Sequence, residues 1–354
     1  MLTLGLSGRS TVVCPIALLC AALSAAVGHA EGPRWGGEEI VQADGHDLVV
    51  TGYSVPSLAD WDEDGRPDLI VGEGGGGWTG MVRIYRNVGS AAAPAFSEPL
   101  YAELSSGADL TVTPGGCLGA FPRLACWDAD ANKDLIIGQA DGTVRFCRNV
   151  GTDAAPAFEA GTLLEVGPAG GKTPLDVGSR AAPCLVDWDG DGWRDLLVGA
   201  ADGKLRLYRN QGTAGEPDFP AVEYLADAAG GSDLLVSTGR SSPDVADLDG
   251  DGRKDLLVGN TYGQLLLYVN QGPDAEPSFS SAHVTYLEAD GVRIDLAGSA
   301  RSRPCLADWT GDGLLDLLVG ADDGKVRLYQ GVPEPASVLV LAAVAVPIVL
   351  RRRP

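Results

Sequence analysis

Short apolar segments recur along the chain at a regular interval, separated by glycine-rich polar turns. Each repeat begins with a run such as Val55–Ala59 and continues with an unbroken apolar run that ends in glycine, such as Leu69–Gly72. A short run without polar positions predicts a strand buried on both faces. The next segment alternates apolar and polar residues, as Lys204–Tyr208 does, which is typical of a half-buried strand.

Turn signals bound these segments and predict a fourth strand. Asp-Gly pairs such as Asp202-Gly203, a strong hairpin signal, lie between the second and third strands. An Asn-x-Gly corner and a Pro-x-Phe motif follow the third strand, and an outer strand is predicted near Val222–Leu225. No long helix is predicted between the two termini. Four strands per repeat and short turns favour an all-β fold, a β-propeller of five four-stranded blades.

The two ends of the repeat region complement each other. The segment from Ala43 to Leu48 resembles the outer-strand region at Ala289–Gly291, whereas the last repeat stops at Gln330, after its third strand. The segment from about residue 37 is therefore predicted to supply the fourth strand of the last blade. Such closure removes the open sheet edges that promote aggregation.

An acidic nine-residue loop recurs after the first strand of every repeat. The five copies, numbered loops 1 to 5 in chain order, end at aspartates spaced 66, 61, 60 and 61 residues apart. A fixed long period indicates one structural unit repeated along the chain. The five loops span residues 60–68, 126–134, 187–195, 247–255 and 308–316.

Aspartates at positions 1, 3, 5 and 9 of a tight loop bring hard oxygen ligands around one point. With a carbonyl at position 7 and water, they can form the six- to eight-oxygen shell that calcium prefers. Glycine at position 6 permits the sharp turn. In the four copies with this glycine, position 12 holds valine where an EF-hand has glutamate, so the loop is predicted to lead into a strand. The alternative interpretation is a set of Asp-Gly turns that only separate strands.

The five copies are unequal. Loops 1, 3 and 4 have all four aspartates and the glycine, loop 5 has Thr310 at position 3, and loop 2 has Cys126 at position 1 and Ala131 at position 6. Loop 5 is predicted to bind weakly, and loop 2 weakly or not at all. The predicted ligands, with the position 7 residue contributing its carbonyl, are Asp60, Asp62, Asp64, Arg66, Asp68, Asp187, Asp189, Asp191, Trp193, Asp195, Asp247, Asp249, Asp251, Arg253, Asp255, Asp308, Asp312, Leu314 and Asp316.

These loops and strands resemble the FG-GAP/VCBS repeats of integrin-α-like β-propellers, whose loops follow the pattern Asp-x-Asp-x-Asp-Gly-x-x-Asp. The resemblance covers residues 37–331. It implies a propeller that binds calcium and acts in adhesion or binding. Such propellers often have seven blades, whereas this chain of 354 residues has only five copies.

Both termini carry targeting signals. Residues 1–30 contain Arg9, an apolar run and a small-residue exit at Gly28–Ala30, which together predict a secretory signal peptide. The propeller is assigned to residues 31–331. Residues 332–354 contain Val332-Pro-Glu-Pro335, an apolar stretch and three arginines. They resemble a PEP-CTERM sorting signal, which implies transient membrane contact, cleavage by an exosortase and release to the surface or an exopolysaccharide matrix. An ordinary C-terminal anchor is the alternative.

Composition narrows the classes of function. The formal charge is −22, and the five loops alone hold 18 aspartates, so nucleic-acid binding is not expected. After signal removal only His46 and His283 remain, both away from any motif, which disfavours histidine-based nucleophilic catalysis. Five cysteines remain, without the spacing of a zinc site. Lys and Arg residues at loop positions 7 and 8 are predicted to be solvated turn residues, not catalytic bases.

Position 2 of the loop is tryptophan in four copies: Trp61, Trp127, Trp188 and Trp309. These indoles are predicted to pack between neighbouring blades, since Leu248 substitutes in loop 4 without loss of the motif. Stacking on sugar rings is the alternative. The sequence thus predicts an exported, calcium-binding, non-catalytic module that binds an exopolysaccharide or a surface protein. A calcium-dependent lectin, or a lyase or hydrolase acting on polysaccharide, is the alternative function.

Overall fold

The protein is described here by a computed structural model, which covers residues 32–112, 119–128, 130, 132–213, 215–296, 298 and 300–333. In these ranges it is an all-β protein with a single 3-10 helix, at Ser281–His283. Four short strands precede the blades: β1 (Arg34–Trp35), β2 (Glu39–Ile40), β3 (Gln42–Ala43) and β4 (His46–Asp47).

The remaining strands follow in chain order. Blade 1 has β5 (Val55–Ala59), β6 (Asp68–Gly75), β7 (Trp78–Tyr85), β8 (Leu100–Tyr101) and β9 (Thr111–Val112). Blade 2 has β10 (Phe121–Ala125), β11 (Asp134–Gly138), β12 (Val144–Cys147) and β13 (Thr162–Leu163), followed by the hairpin β14 (Glu165–Val166) and β15 (Thr173–Pro174). Blade 3 has β16 (Ala182–Val186), β17 (Asp195–Gly199), β18 (Leu205–Tyr208) and β19 (Glu223–Tyr224).

Blade 4 has β20 (Ser242–Ala246), β21 (Asp255–Gly259), β22 (Leu265–Tyr268) and β23 (Thr285–Tyr286), followed by the hairpin β24 (Glu288–Ala289) and β25 (Val292–Arg293). Blade 5 has β26 (Arg303–Ala307), β27 (Asp316–Gly320) and β28 (Val326–Tyr329), and β29 (Gly331–Val332) follows. In every blade the first three strands are antiparallel neighbours in chain order, and in blade 1 both β8 and β9 pair with β7.

The blades form a closed ring of five. The first strand of each blade contacts the first strands of the two adjacent blades, and β26 of blade 5 contacts β5 of blade 1. These five inner strands surround the central axis. The predicted five-bladed propeller is therefore confirmed, although the seven blades common in similar propellers are absent.

The ring is closed by the start of the chain, as predicted. Strand β2 pairs with β28, with Glu39 opposite Leu328, and so becomes the outer strand of blade 5. Strand β1 pairs with β29, with Arg34 opposite Val332. The hairpin of β3 and β4 after β2 corresponds to that of β24 and β25 after the outer strand of blade 4.

Glycine at the end of each second strand permits close contact between blades. A Cβ on Gly199 would lie 2.2 Å from the carbonyl oxygen of Ser241 and 2.7 Å from the proline ring of Pro243 in the next blade. At the last junction, a Cβ on Gly320 would lie 2.3 Å from the carbonyl oxygen of Ser54 in blade 1. Any other residue would push adjacent inner strands apart, which explains why every apolar second strand ends in glycine.

The four loop tryptophans are buried between blades, as predicted, with 0 to 5% of their surface exposed. Each contacts the phenylalanine that follows the third strand of the next blade. The ring centroids are 5.8 Å apart for Trp61–Phe158, 6.0 Å for Trp127–Phe219, 6.3 Å for Trp188–Phe279 and 5.1 Å for Trp309–Phe96. These contacts join blade 1 to blade 2, blade 2 to blade 3, blade 3 to blade 4, and blade 5 to blade 1.

The remaining junction, between blades 4 and 5, uses different residues. Leu248 occupies the tryptophan position and shares a buried cluster with Trp35 of strand β1. The Trp35 indole also donates a hydrogen bond to the Leu315 carbonyl at 3.1 Å. Trp35 thus fills the space that a phenylalanine fills at the other junctions, and this explains why leucine is accepted at position 248.

The predicted targeting segments, residues 1–30 and 332–354, lie almost entirely outside the described residues, and both assignments stay predictions. The described part of the chain contains no helix that is long and apolar enough to cross a membrane.

Candidate metal-binding loops

The five loops connect the first and second strands of the blades and therefore lie on one face of the propeller. Loop 1, for example, leaves β5 after Ala59 and enters β6 at Asp68. Loops 1, 3, 4 and 5 each have a left-handed glycine at position 6, such as Gly65 with φ of 84° or Gly192 with φ of 93°. Glycine tolerates this conformation without strain, as the sequence predicts for position 6.

The position 9 aspartate is buried in every blade and holds the loop against the third strand. One Asp195 carboxylate oxygen accepts the backbone N–H of Trp188 at 2.8 Å, and the other accepts that of Asn210 at 2.7 Å. The same pair of hydrogen bonds is made by Asp68, Asp134, Asp255 and Asp316. This aspartate fixes the loop whether or not a cation is bound.

Desolvation opposes the charge of these buried aspartates. Burial raises the pKa of Asp134 to about 7. It raises the pKa values of Asp68, Asp195 and Asp255 to about 6. The neighbouring loop carboxylates add to this effect, while the hydrogen bonds from backbone N–H groups oppose it. A nearby cation would favour the ionised forms.

The other loop aspartates turn the backbone around a common centre. Asp187 accepts the N–H of Gly192 at 3.0 Å, and Asp247 accepts that of Gly252 at 2.8 Å. Position 5 aspartates accept the N–H of position 7, as Asp191 does from Trp193 at 2.8 Å. These bonds leave further lone pairs on each carboxylate, because every oxygen can accept more than one contact.

Three groups of carboxylates have oxygens within 4.8 Å of one another. They are Asp60, Asp62 and Asp68 in loop 1; Asp187, Asp189 and Asp195 in loop 3; and Asp247, Asp249 and Asp251 in loop 4. These are the loops with complete motifs. Loops 2 and 5 contribute no such group among the described residues.

Loop 1 contains two buried carboxylate oxygens without a hydrogen-bond partner, Oδ1 of Asp60 and Oδ1 of Asp62. A buried unpaired carboxylate oxygen is costly, and a cation would satisfy both. The donor set consists of hard oxygens, without histidine or thiolate, as calcium prefers. The residues present therefore fit a calcium ion, which when bound would neutralise the clustered charge and crosslink the loop.

In loop 2, a disulfide bond and ion pairs involve the residues at the positions of the predicted cation ligands. Its position 1 residue, Cys126, forms a disulfide bond. The Arg148 guanidinium lies 2.6 Å from the Asp128 carboxylate and 2.9 Å from that of Asp130. The equivalent arginines of loops 1 and 3 lie farther from their aspartates, at 3.6 Å for Arg86–Asp62 and 3.5 Å for Arg209–Asp189, so the closer ion pair and the disulfide distinguish loop 2. This arrangement supports the prediction that loop 2 binds calcium weakly or not at all.

Loop 5 is intermediate. Asp308 accepts the N–H of Gly313 at 3.0 Å, as in the complete loops, but Thr310 supplies a neutral hydroxyl at position 3. This hydroxyl oxygen is buried and has no hydrogen-bond partner. The loop keeps an available oxygen at that position with less negative charge, in line with weak binding.

The position 7 carbonyl ligands at Arg66, Trp193, Arg253 and Leu314 stay predictions. The side chains of Arg66 and Arg253 point back to the third-strand corners of their own blades. The Arg66 Nε donates a 2.9 Å hydrogen bond to the Asn87 carbonyl, and the Arg253 Nε donates one of the same length to the Asn270 carbonyl. Trp193 is partly exposed.

The prediction that the position 8 lysines are solvated is wrong for Lys133. Only 4% of its side chain is exposed, and its ammonium lies 2.9 Å from the Asp153 carboxylate, which is equally buried. Lys254 pairs with Asp274 at 2.7 Å in the same way. The reason is that the corner after the third strand folds over the loop and brings an aspartate to the lysine. Both ammonium groups are therefore held by ion pairs to the corner aspartates.

The role of the Asn-x-Gly corner was not predicted from the sequence. The Asn210 side-chain oxygen accepts the N–H groups of Gly212 and Asp218, both at 3.0 Å, while its own N–H binds Asp195. The corner therefore supports the loop from behind. A signal for this role was present in the sequence, because an Asn follows the position 9 aspartate after 15 residues in blades 2, 3 and 4 and after 19 residues in blade 1.

Comparison with known proteins agrees with this geometry. Residues 187–258 and 247–319 match the model of the FG-GAP-like repeat. Residues 187–319 are therefore similar to this repeat. It is also 30% identical over 177 residues to integrin alpha-4 of Xenopus laevis. That match covers 46% of this chain and 16% of the relative, so the chain spans only a small part of the relative's length.

Proposed function

We propose that this chain is an exported, calcium-binding FG-GAP-like propeller that serves as a non-catalytic adhesion or binding module. The observation that carries the calcium assignment is the convergence of carboxylates in loops 1, 3 and 4, with Asp60 Oδ1 and Asp62 Oδ1 buried and unpaired in loop 1. The likeness to integrin alpha-4 supports adhesion or binding, at the cell surface or in an exopolysaccharide matrix.

A calcium titration of the purified domain by isothermal calorimetry tests the metal assignment. The wild-type protein should bind calcium at loops 1, 3 and 4, and Asp189→Ala should remove one of these sites. The matched control is Asp128→Ala in loop 2, where Arg148 already occupies the carboxylates, and it should leave the titration unchanged. Absence of calcium binding by the wild-type domain would overturn the assignment.

The positions and contacts of the carboxylates, lysines and histidines support a non-catalytic role. The carboxylates hold the loops, Lys133 and Lys254 are ion-paired, and His46 and His283 lie exposed on peripheral segments. A calcium-dependent lectin or polysaccharide-active enzyme is the second candidate. Trp78, 60% exposed beside the glycine-rich turn of blade 1, favours sugar contact.

A glycan array and a screen for adhesion to cells separate these functions. We expect calcium-dependent retention on an exopolysaccharide or a surface protein, without cleavage of the retained polymer. Release of unsaturated or reducing ends from a polysaccharide would establish the enzyme instead. Repeating the array with Trp78→Ala shows whether this exposed indole carries the sugar contact.

Processing at both ends completes the proposal. The signal peptide directs export, and an exosortase recognises the PEP-CTERM-like segment, which touches the membrane transiently before release. Mass spectrometry of the exported protein tests this: we expect new termini near residue 31 and near Pro333–Pro335. An intact C-terminal segment on a membrane-bound product would favour the ordinary anchor.

A further inference from the structure

The face opposite to the carboxylate loops contains a pocket rich in arginine. The pocket lies where the first strands of blades 3, 4 and 5 begin, next to the ends of the second strands. Its empty volume is about 330 Å³, including the part that is open to solvent. Four arginines line it, and we call this set the arginine mouth: Arg180, Arg240, Arg301 and Arg303.

Three of these arginines occupy equivalent positions in successive blades with an unusual backbone. Arg180, Arg240 and Arg301 have φ angles of 59°, 55° and 71°. Their backbone N–H groups donate hydrogen bonds to carbonyl groups of the preceding blade, those of Ala140, Ala201 and Thr261 respectively. The left-handed conformation is strained for a residue with a long side chain and costs nothing for glycine. Such strain is typical of positions whose side chains have a function.

Two of the arginines have no anionic partner among the described residues. The Arg180 Nε and the Arg240 Nη1 are buried and donate no hydrogen bond. Arg301 differs, since it donates to the Tyr53 hydroxyl and lies 3.7 Å from the Asp322 carboxylate. Arg303 stacks on the Tyr53 ring with its guanidinium carbon 5.0 Å from the ring centre. Arg180 and Arg240 therefore bring uncompensated positive charge to the pocket.

Other carboxylates on this face are already paired at the periphery. Glu73 pairs with Arg83 at 2.8 Å, and Asp202 with Arg206 at 2.6 Å. Asp323 pairs with Arg327, also at 2.6 Å. In a protein with a formal charge of −22, two arginines without an anionic partner make this pocket a local region of positive charge.

The geometry points to a binding site for a small oxyanion, a carboxylate or sulfate group, held in the arginine mouth by Arg180 and Arg240. We propose that these two guanidinium groups bind the anion, because their planar arrays of N–H donors match the two oxygens of such a group. Ser242 offers a hydroxyl in the same pocket. This site does not depend on calcium or on the adhesion proposal.

Calorimetric titration of the calcium-loaded domain at low salt tests the proposal, with galacturonate, inorganic sulfate and the neutral sugar galactose as probes. Galacturonate, sulfate or both should bind, and galactose should not. Arg180→Gln and Arg240→Gln should each weaken binding about tenfold or more, because each removes a charge-assisted hydrogen bond. Affinity for galacturonate alone identifies an organic acid, and affinity for sulfate identifies a more general oxyanion site.

Two further variants separate binding from folding. Arg240→Gly relieves the strain of the left-handed backbone, so this variant should keep the wild-type melting temperature while it binds the anion more weakly. Arg293→Gln removes the same charge at the periphery, where the guanidinium stacks on Tyr286, and it should bind like the wild type. The proposal is overturned if neither anion binds the wild-type protein, if galactose binds equally well, or if Arg180→Gln and Arg240→Gln bind with unchanged affinity.

Discussion

Trp188 of blade 3 packs against Phe279 of blade 4 in an edge-to-face arrangement, with ring centroids 6.3 Å apart. The indole is fully buried in a cluster that spans the two blades. Trp188 stands at position 2 of loop 3, and its N–H is bound by Asp195. The same residue thus connects a candidate cation loop to the interface between blades.

Replacing this indole should destabilise the fold. Trp188→Ala removes a large buried side chain, and we expect a loss of roughly 3–5 kcal/mol in the free energy of unfolding. Urea unfolding followed by circular dichroism measures the loss. Trp78→Ala, at an exposed tryptophan, is the control and should unfold like the wild type. A normal unfolding curve for Trp188→Ala together with lost glycan retention would favour the sugar-stacking role.

Removal of calcium should lower the melting temperature. The clustered aspartates repel one another without a cation, and a ligand that binds only the native state adds about 2.7 kcal/mol at a concentration 100 times its Kd. In calcium, Asp189→Ala or Asp249→Ala should lower the melting temperature more than Asp128→Ala. Calorimetric scans with and without chelator test this expectation, and identical scans would contradict it.

Deletion of residues 37–50 should prevent closure of the ring. The deletion removes β2, the strand that pairs with β28. It also removes the Val41, Leu48 and Val50 side chains from the core that they share with Leu328. The protein should aggregate or melt much earlier, because unpaired strand edges promote association. Removal of residues 333–354 is the control and should leave a folded domain. Size-exclusion chromatography distinguishes the outcomes, and a stable monomer after the first deletion would indicate an open array.

The metal-free protein should become less stable as the pH rises from about 4 to 7. Asp134 has a pKa of about 7 in the folded state, compared with about 3.9 when unfolded. Between these values the folded state binds more protons, so the free energy of unfolding falls as pH increases. Urea unfolding in chelator at pH 5.5 and 7.5 measures the slope.

Asp134→Asn is the control for this slope, since it removes one titrating group and should reduce the difference between the two pH values. Greater stability at pH 7.5 than at pH 5.5 in the wild-type protein would contradict the expectation. Calcium should reduce the same difference, because a bound cation favours ionised carboxylates at any pH in this range.

Local patterns were sufficient to predict the blades. The run at Leu196–Gly199 and the turn at Asp202-Gly203 encode their strands and hairpin within a few residues, so the prediction needed no distant contact. The closing strand was predicted from the likeness of Ala43–Leu48 to Ala289–Gly291. The positions of the aspartates within the nine-residue motif predicted which carboxylates would lie close together. The three loops with a complete motif are the ones whose carboxylates converge.

The missed features depend on contacts between distant segments. Trp35 reaches Leu248 only because the two chain ends meet in the ring, and no local motif indicates this. Lys133 is buried by a corner residue, Asp153, whose position follows from how the chain turns after the third strand. Arg180, Arg240 and Arg301 each lie three residues before the proline of a first strand, but their meeting in one pocket requires three blades side by side.

The pairing of Arg34 with Val332 gives the propeller a seam, which has a consequence for the order of folding. Blades 1 to 4 can each form from consecutive residues, but blade 5 stays incomplete until residues at opposite ends of the chain meet. Closing so long a loop carries a large entropic cost, and topologies with distant contacts fold slowly. A growing polypeptide therefore holds a nearly finished ring with a gap, and the join completes only after almost the whole chain has been made.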